Sequence, residues 1–315
     1  MSHVVIVGTL ALDTLKTPKG SRQTILGGSA VFAGISASLW ANNVSLVGVV
    51  GQDFPPSAWS FLEERGISTK GVERQTGQTF HWEGYYEADM AQAFTVQTDL
   101  NVLSTFTPKL PSSDKQANVL FLANIDPCLQ QDVLAQFSQK PFVVLDSMNY
   151  WIQTKPDQVK AILPQVDILI LNDQEIKALT QTNSITQAIK TSATWGVNAV
   201  VVKKGEHGAI AYNGKDLFTC PAVPLVDMVD PTGAGDSFAG ALCGHLSSQQ
   251  TIDWDAIKKA VVAGTLTASY TVQGFGTESL QKLTKPLLRE AFEHFYDVAN
   301  IPNCNIDYRP NISTY

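Results

Sequence analysis

VDILILNDQEIKALTQTNSITQAIKTSATWGVNAVVVKK, residues 166–204, is the stretch that decides the fold class. Its first run, VDILILN (166–172), and its last, NAVVVKK (198–204), are apolar and β-branched on successive positions. A strand has that pattern when both of its faces are covered. Between the two lies a segment of helix length. Outward from this unit the same kind of run recurs at VVIVG (4–8), VSLVGVVG (44–51), NVLFLAN (118–124) and FVVLD (142–146). The alternation predicts an α/β chain, with a mainly parallel central sheet flanked by helices. Each run ends on glycine or a polar residue: Gly8, Gly51, Asn124, Asp146, Asn172 or Lys204. Ligands of open α/β sheets bind beyond the carboxyl ends of the strands, so chemistry is expected there.

Composition narrows the partners. The 315 residues carry a formal net charge of -7, and only 16% are charged. No basic field exists to hold a nucleic-acid backbone or an anionic membrane surface, so neither is expected as a partner. The N-terminal MSHVVIVGTL reads as a first strand and lacks the pattern of a secretory signal. No apolar run approaches the ~18 residues of a membrane-spanning helix. Cys128, Cys220, Cys243 and Cys304 are far apart, with neither a CxxC pair nor metal-ligand spacing. They read as buried free thiols of a cytoplasmic protein.

One region departs from the alternation. Residues 71–102 contain aromatic, Thr and Val stretches without an amphipathic helix. They predict a small antiparallel excursion, a lid, whose exposed aromatics Phe80, Trp82, Tyr85 and Tyr86 either line a pocket, form a subunit contact or simply pack the lid.

The stretch DPTGAGDSFAGAL (230–242) carries the chemistry. Gly233 and Gly235 free the backbone to aim N–H groups, Ala234's included, at one point, and a helix begins there. Converging amides and the positive end of a helix dipole make an anion site suited to a phosphoryl group in transfer. Asp236 in that first turn is the candidate general base. It would accept the hydroxyl proton as the new O–P bond forms, although Asp also favours helix N-termini for purely local reasons.

This stretch closely resembles the C-terminal signature of the ribokinase-like, or PfkB, carbohydrate kinase family. Further resemblances follow in the family's order over about residues 4–280. Asp13 in GTLALD falls on the family's substrate-hydroxyl aspartate. LGGSAVFAG places Gly27 and Gly28 close to the sugar. VDILILNDQE resembles the NxxE motif, in which Asn172 would contact phosphate or its solvated metal and Glu175 would hold Mg²⁺ through water. VVVKKGEHGAIAYNG resembles the loop over the nucleotide phosphates, with Lys203, Gly205 and Gly208, and Thr265 falls where the family often contacts the base. Asp230 and Thr232, with carbonyls of Thr271, Gly274 and Gly276, occupy positions that bind a monovalent cation such as K⁺ in several members. The resemblance implies a three-layer ribokinase-like sandwich, residues 1–315 as one domain, with a small β lid from about 11–25 and 72–103. It further implies an ATP- and Mg²⁺-dependent kinase of a sugar or sugar-like hydroxyl, and a homodimer through the lid.

The residues alone leave alternatives beside each role. Gly27–Gly28 is also an ordinary turn before a helix. Asp13 reads equally as turn or ligand. Asn172 and Glu175 stand at capping-box spacing, and Asp230 reads equally as a cap. Lys203 and Lys204 point to opposite faces, so one of them reaches the site, and His207 reads as surface. Phe32 stands where the family commonly has an asparagine that grips substrate hydroxyls. A phenyl ring makes that side of the pocket more apolar and puts ribose itself in doubt. A nucleoside kinase, with an aromatic wall against a base, is the nearest rival, and a non-catalytic regulator of the same fold a more distant one. A nicotinamide dehydrogenase fits poorly, because the first strand is not followed by GxGxxG.

Overall fold

A computed structural model describes residues 2–299; Cys304 lies outside them. Among the described residues thirteen strands form two sheets: β1 His3–Val7, β2 Ala11–Thr17, β3 Gly20–Gly27, β4 Asn43–Val50, β5 Ile67–Arg74, β6 Phe80–Tyr86, β7 Ala93–Asp99, β8 Val119–Leu122, β9 Phe142–Asp146, β10 Ile168–Asn172, β11 Ala199–Lys203, β12 Ala209–Tyr212 and β13 Leu217–Cys220. The large sheet has nine strands in the order β13-β12-β11-β10-β9-β8-β1-β4-β5. All its pairings from β11 to β5 are parallel, while β12 and β13 add antiparallel strands at one edge.

Alternation along the strands explains the continuous apolar runs. Val4, Ile6, Ile168 and Ile170 face one core, shared with the helices Ser29–Ala37, Ala234–Ser247 and Trp254–Thr271. Val5, Val7, Leu169 and Leu171 face the other, shared with Pro127–Leu134, Pro156–Ile162, Asp173–Thr180 and Ile185–Ala193. Helix, sheet and helix make three layers, as expected of the α/β reading.

The small sheet, β3-β2-β6-β7, corrects the sequence reading in two respects. Residues 71–74 pair with β4 and belong to the large sheet, so the lid segment begins at Phe80. The β6–β7 hairpin is antiparallel, but β6 joins β2 in parallel, so the excursion is mixed. Of the four aromatics only Tyr85 is exposed; Phe80, Trp82 and Tyr86 are half-buried. The thiol reading is corrected at Cys128, which is exposed, whereas Cys220 and Cys243 are buried. No helix among the described residues is long and apolar enough to cross a membrane.

Candidate active site

Two helix N-termini meet beyond the carboxyl ends of the parallel strands. Helix Ala234–Ser247 lies so close to Ser29–Ala37 that a Cβ on Gly240 or Gly244 would run into the backbone of Ala33 or Ala37. At the N-terminal end, a Cβ on Gly233 would strike the Phe32 ring. Because 233 meets 32, 240 meets 33 and 244 meets 37, the two helices run the same way and start together. Gly233 itself has φ +74°, a left-handed conformation that favours glycine, and caps the helix through the Ser237 N–H. Behind it the Ala234 N–H donates to the Pro231 carbonyl at 3.2 Å, and the N–H groups that follow in the first turn are among those a helix leaves without internal partners. Phe32, 1% exposed, supports this turn from beneath. It is a core residue and not the aromatic pocket wall that the sequence suggested.

A buried charge cluster stands beside the turn. Lys203 ends β11, and its Nζ lies 2.9 Å from where a Cβ on Gly235 would be, so glycine there leaves room for the ammonium. The same Nζ donates to Asp146 Oδ2 at 2.6 Å, from the end of β9. Burial works against the ammonium, but Asp146 and Glu175 outweigh it and hold the Lys203 pKa above the ordinary lysine value. Asp236 is pushed up to about 7 by burial and then by Asp146, against the pull of Lys203. Glu175 is pushed up to about 8, mainly by burial, with Lys203 opposing.

Asn172 and Glu175 do form the capping box. Asn172 Oδ1 accepts from the Glu175 N–H at 2.8 Å, and Glu175 Oε2 accepts from the Asn172 N–H at 2.7 Å. Asn172 is also the register partner of Lys203 on β11, which brings the capping box to the cluster's edge.

On the lid side, Asp13 of β2 is 5% exposed and pushed up to about 7, by burial first and Asp230 next. Its Oδ1 is buried without a hydrogen-bond partner. Gly27 is packed against this carboxylate so tightly that any Cβ would collide with it, and Gly28, at φ +92°, abuts the backbone of Thr9 and Ala11. Ser29 then ties the loop down, accepting from the Thr9 N–H and donating to the Asn124 carbonyl.

Asp230 is fully buried, and its two oxygens accept from the N–H groups of Thr232 (2.9 Å) and Gly276 (2.8 Å). The anion-hole turn is thereby fastened to the segment 271–276, whose first residue, Thr271, is itself buried. Gly205 and Gly208 sit apart from the carboxylates. Gly208, at φ +80°, abuts the Cys220 carbonyl at the end of β13, and Thr265 acts on the Cys220 thiol, drawing its pKa down against the rise that burial causes. Thr265 Oγ1 also donates back to Val261 within its own helix. Lys204 makes no side-chain contact in this cluster, and His207 is exposed.

Over residues 2–283 the sequence matches the pfkB family of carbohydrate kinases. The chain belongs to that family. A cytidine kinase of Thermococcus kodakarensis is 29% identical over 258 residues, which cover 80% of this chain and 91% of the relative. A ribokinase of Lactococcus lactis is 25% identical over 300 residues, covering 88% of this chain and 93% of the relative. Among solved structures, a Burkholderia thailandensis nucleoside kinase in complex with ADP-inosine has a TM-score of 0.78 at 18% identity, covering 98% of this chain and 97% of that one.

As a member of that family the chain is a phosphotransferase. Two residues of the site, one in the charge cluster and one at the glycine turn, escaped the sequence reading. Asp146 was visible only as the polar end of an apolar run, and it joins the site because β9 lies two strands from β11. Tyr86 was visible only as a lid aromatic. Its hydroxyl lies 3.1 Å from Thr232 Oγ1, at the edge of the anion-hole turn.

Proposed function

We propose that this pfkB kinase transfers a phosphoryl group from ATP to a hydroxyl of an uncharged sugar or sugar-like molecule. One observation carries the reading: two carboxylates, the buried Asp13 and the half-buried Asp236, flank a glycine turn at a helix N-terminus with the Lys203 ammonium beside it. Asp13, with a carboxylate oxygen unpaired in the protein, would hold the acceptor hydroxyls against the Gly27–Gly28 backbone. Asp236 would take the proton of the attacking hydroxyl as the O–P bond forms. Charge gathering on the phosphoryl oxygens would meet the first-turn N–H groups at Gly233, Ala234 and Gly235, and the Lys203 ammonium.

The donor set suits a hydrated Mg²⁺. Asp146, Glu175 and Asp236 surround one ammonium, which leaves positive charge in deficit. Glu175, with Asn172 at its side, would hold the ion through water, where it would neutralise charge on the nucleotide phosphates. Among the described residues no group of three acidic, His or Cys side chains is clustered to ligate a metal directly.

Asp230 suits a monovalent cation for a related reason. It is buried, its pKa is raised mainly by that burial, and its hydrogen bonds come from backbone N–H groups rather than from a cationic side chain. With Thr232 and the carbonyls of Thr271, Gly274 and Gly276 it would hold K⁺ and order the turn. Replacing Na⁺ by K⁺ at fixed ionic strength is therefore expected to raise kcat with little change in KM. A flat response would make Asp230 a purely structural link.

The acceptor should carry no charge of its own. Arg22 is engaged with Glu278 at 2.9 Å and lies over Phe275, Arg74 donates to the Gln52 carbonyl, and Lys19 pairs with Asp227. The acceptor side instead presents Asp13, Asp230 and Asp236, which would repel an anion. In a panel of free sugars, polyols, nucleosides and sugar phosphates, the phosphates are expected to be at least about tenfold poorer in kcat/KM. A sugar phosphate as best substrate would overturn the assignment.

A nucleoside acceptor is favoured by Trp82. It is the register partner of Asp13, so the two leave neighbouring strands on the same face, and its indole lies across Gly84, where no Cβ intervenes. A flat aromatic surface beside the hydroxyl-binding carboxylate suits a base. The nucleosides in the same panel test this reading directly.

A further inference from the structure

Tyr86 is the last residue of β6, four positions beyond Trp82 and so on the face that carries Asp13. Its hydroxyl accepts from Thr232 Oγ1 at 3.1 Å. Thr232 is fixed in turn, because its N–H donates to Asp230, whose other oxygen takes the Gly276 N–H. The next residue is Gly233, the cap on which the anion hole is built.

The lid meets the body at other points, but these differ in kind. Arg22–Glu278 and Lys19–Asp227 are exposed ion pairs, worth little individually and replaceable by water. Thr17 donates to the Val229 carbonyl, upstream of the turn. The Tyr86–Thr232 bond joins a lid side chain to the residue immediately before the anion hole.

We propose that Tyr86 is a positioning residue, through which the seating of the lid over the acceptor sets the anion-hole turn for transfer. The inference rests on the kinase reading above. The geometry links acceptor recognition to catalysis: an acceptor that fills the space beside Asp13 closes the lid strand over it, and Tyr86 then holds Thr232 and the following N–H groups in register.

Tyr86→Phe keeps the ring and removes only the hydroxyl. It is expected to lower kcat about tenfold while the affinity for a non-hydrolysable ATP analogue stays within about twofold. Thr232→Val should cost about as much, Thr232→Ser, which keeps the hydroxyl, should retain most of kcat, and Tyr86→Phe/Thr232→Val should be no worse than either single change. Hydrogen exchange gives a readout independent of turnover: amides of residues 232–236 should exchange at least about threefold faster in Tyr86→Phe, with 168–172 in β10 unchanged. A kcat within twofold of wild type, penalties that multiply in the double variant, or unchanged exchange in 232–236 would each overturn the proposal. A wild-type protein that phosphorylates no acceptor would instead sink the kinase reading, and the exchange comparison would still decide whether lid and turn are coupled.

Discussion

Asp236→Asn is expected to lower kcat by about a hundredfold or more while ATP affinity stays within about twofold. The amide preserves shape and the helix N-terminal position but cannot take the hydroxyl proton, so the loss falls on the transition state and not on nucleotide binding. The base must be ionised to act. Since burial pushes Asp236 up to about 7, kcat/KM for the acceptor should rise with pH through that region in the wild-type enzyme. Asp13 is pushed into the same range, and it too must be ionised to accept from substrate hydroxyls, so the acid limb belongs to the pair. The residual activity of Asp236→Asn should retain the part of the limb that Asp13 contributes. Initial rates across pH 5.5–9, with titration of a non-hydrolysable ATP analogue, make the measurement; activity surviving within a few-fold would remove Asp236 from the mechanism.

What could be read in advance depended on whether the physical cause was local. The buried strands were legible because covering both faces leaves an unbroken apolar run, as in Ile168–Leu171, where alternate residues feed opposite cores. The glycine turn was legible because positive φ at Gly233 and close packing at Gly235 restrict the residue type at the position itself. The capping box at Asn172 and Glu175 was likewise a matter of spacing along one helix.

Features made by distant strands could not be read that way. Asp146 enters the cluster through the order β9-β10-β11, and nothing near it in the chain distinguishes it from the polar ends of the other runs. The parallel seam between β2 and β6 joins segments that look alike whether they pair parallel or antiparallel. Residues 71–74 carry the β-forming character of the lid but extend the large sheet beside β4. Phe32 shows the same limit in reverse. Its place after Gly27–Gly28 suggested a pocket wall, whereas the crossing of two helices at Gly233, Gly240 and Gly244 turns the ring into a support for the anion hole.

Lys203→Met should show what holds the charge cluster together. Methionine keeps an apolar stem of similar length and removes the only ammonium among Asp146, Glu175 and Asp236. Without it these carboxyls must either stay ionised in a buried site or take up protons to fold. Deleting one partner of such a cluster costs about 3–5 kcal/mol of stability when the remaining charges are left uncompensated. The sign with pH follows from linkage. A carboxyl whose folded pKa stands above its unfolded value contributes stability below the unfolded value and loses it as pH rises through the folded one. In the wild-type protein Asp13, Asp236 and Glu175 already behave so: stability falls as pH rises above about 4, where the unfolded carboxyls ionise, and the loss is complete once the folded groups have ionised, beyond about 7 to 8. His3 and His245, whose pKa values burial lowers, run the opposite way, but their effect is complete above about 6.5 and cancels between variant and wild type. Removing Lys203 raises Asp146, Glu175 and Asp236 further, since its charge is what opposes their rise. The variant's deficit in denaturant unfolding should therefore approach the full figure at pH 8 and shrink clearly at pH 5.5, where the folded protein can hold the protons. Activity should fall about a hundredfold at either pH, because a donor to the phosphoryl oxygens is gone. An equal stability loss at both pH values would show that these carboxyls do not share the Lys203 charge, and Asp236 would then owe its position near 7 to burial alone.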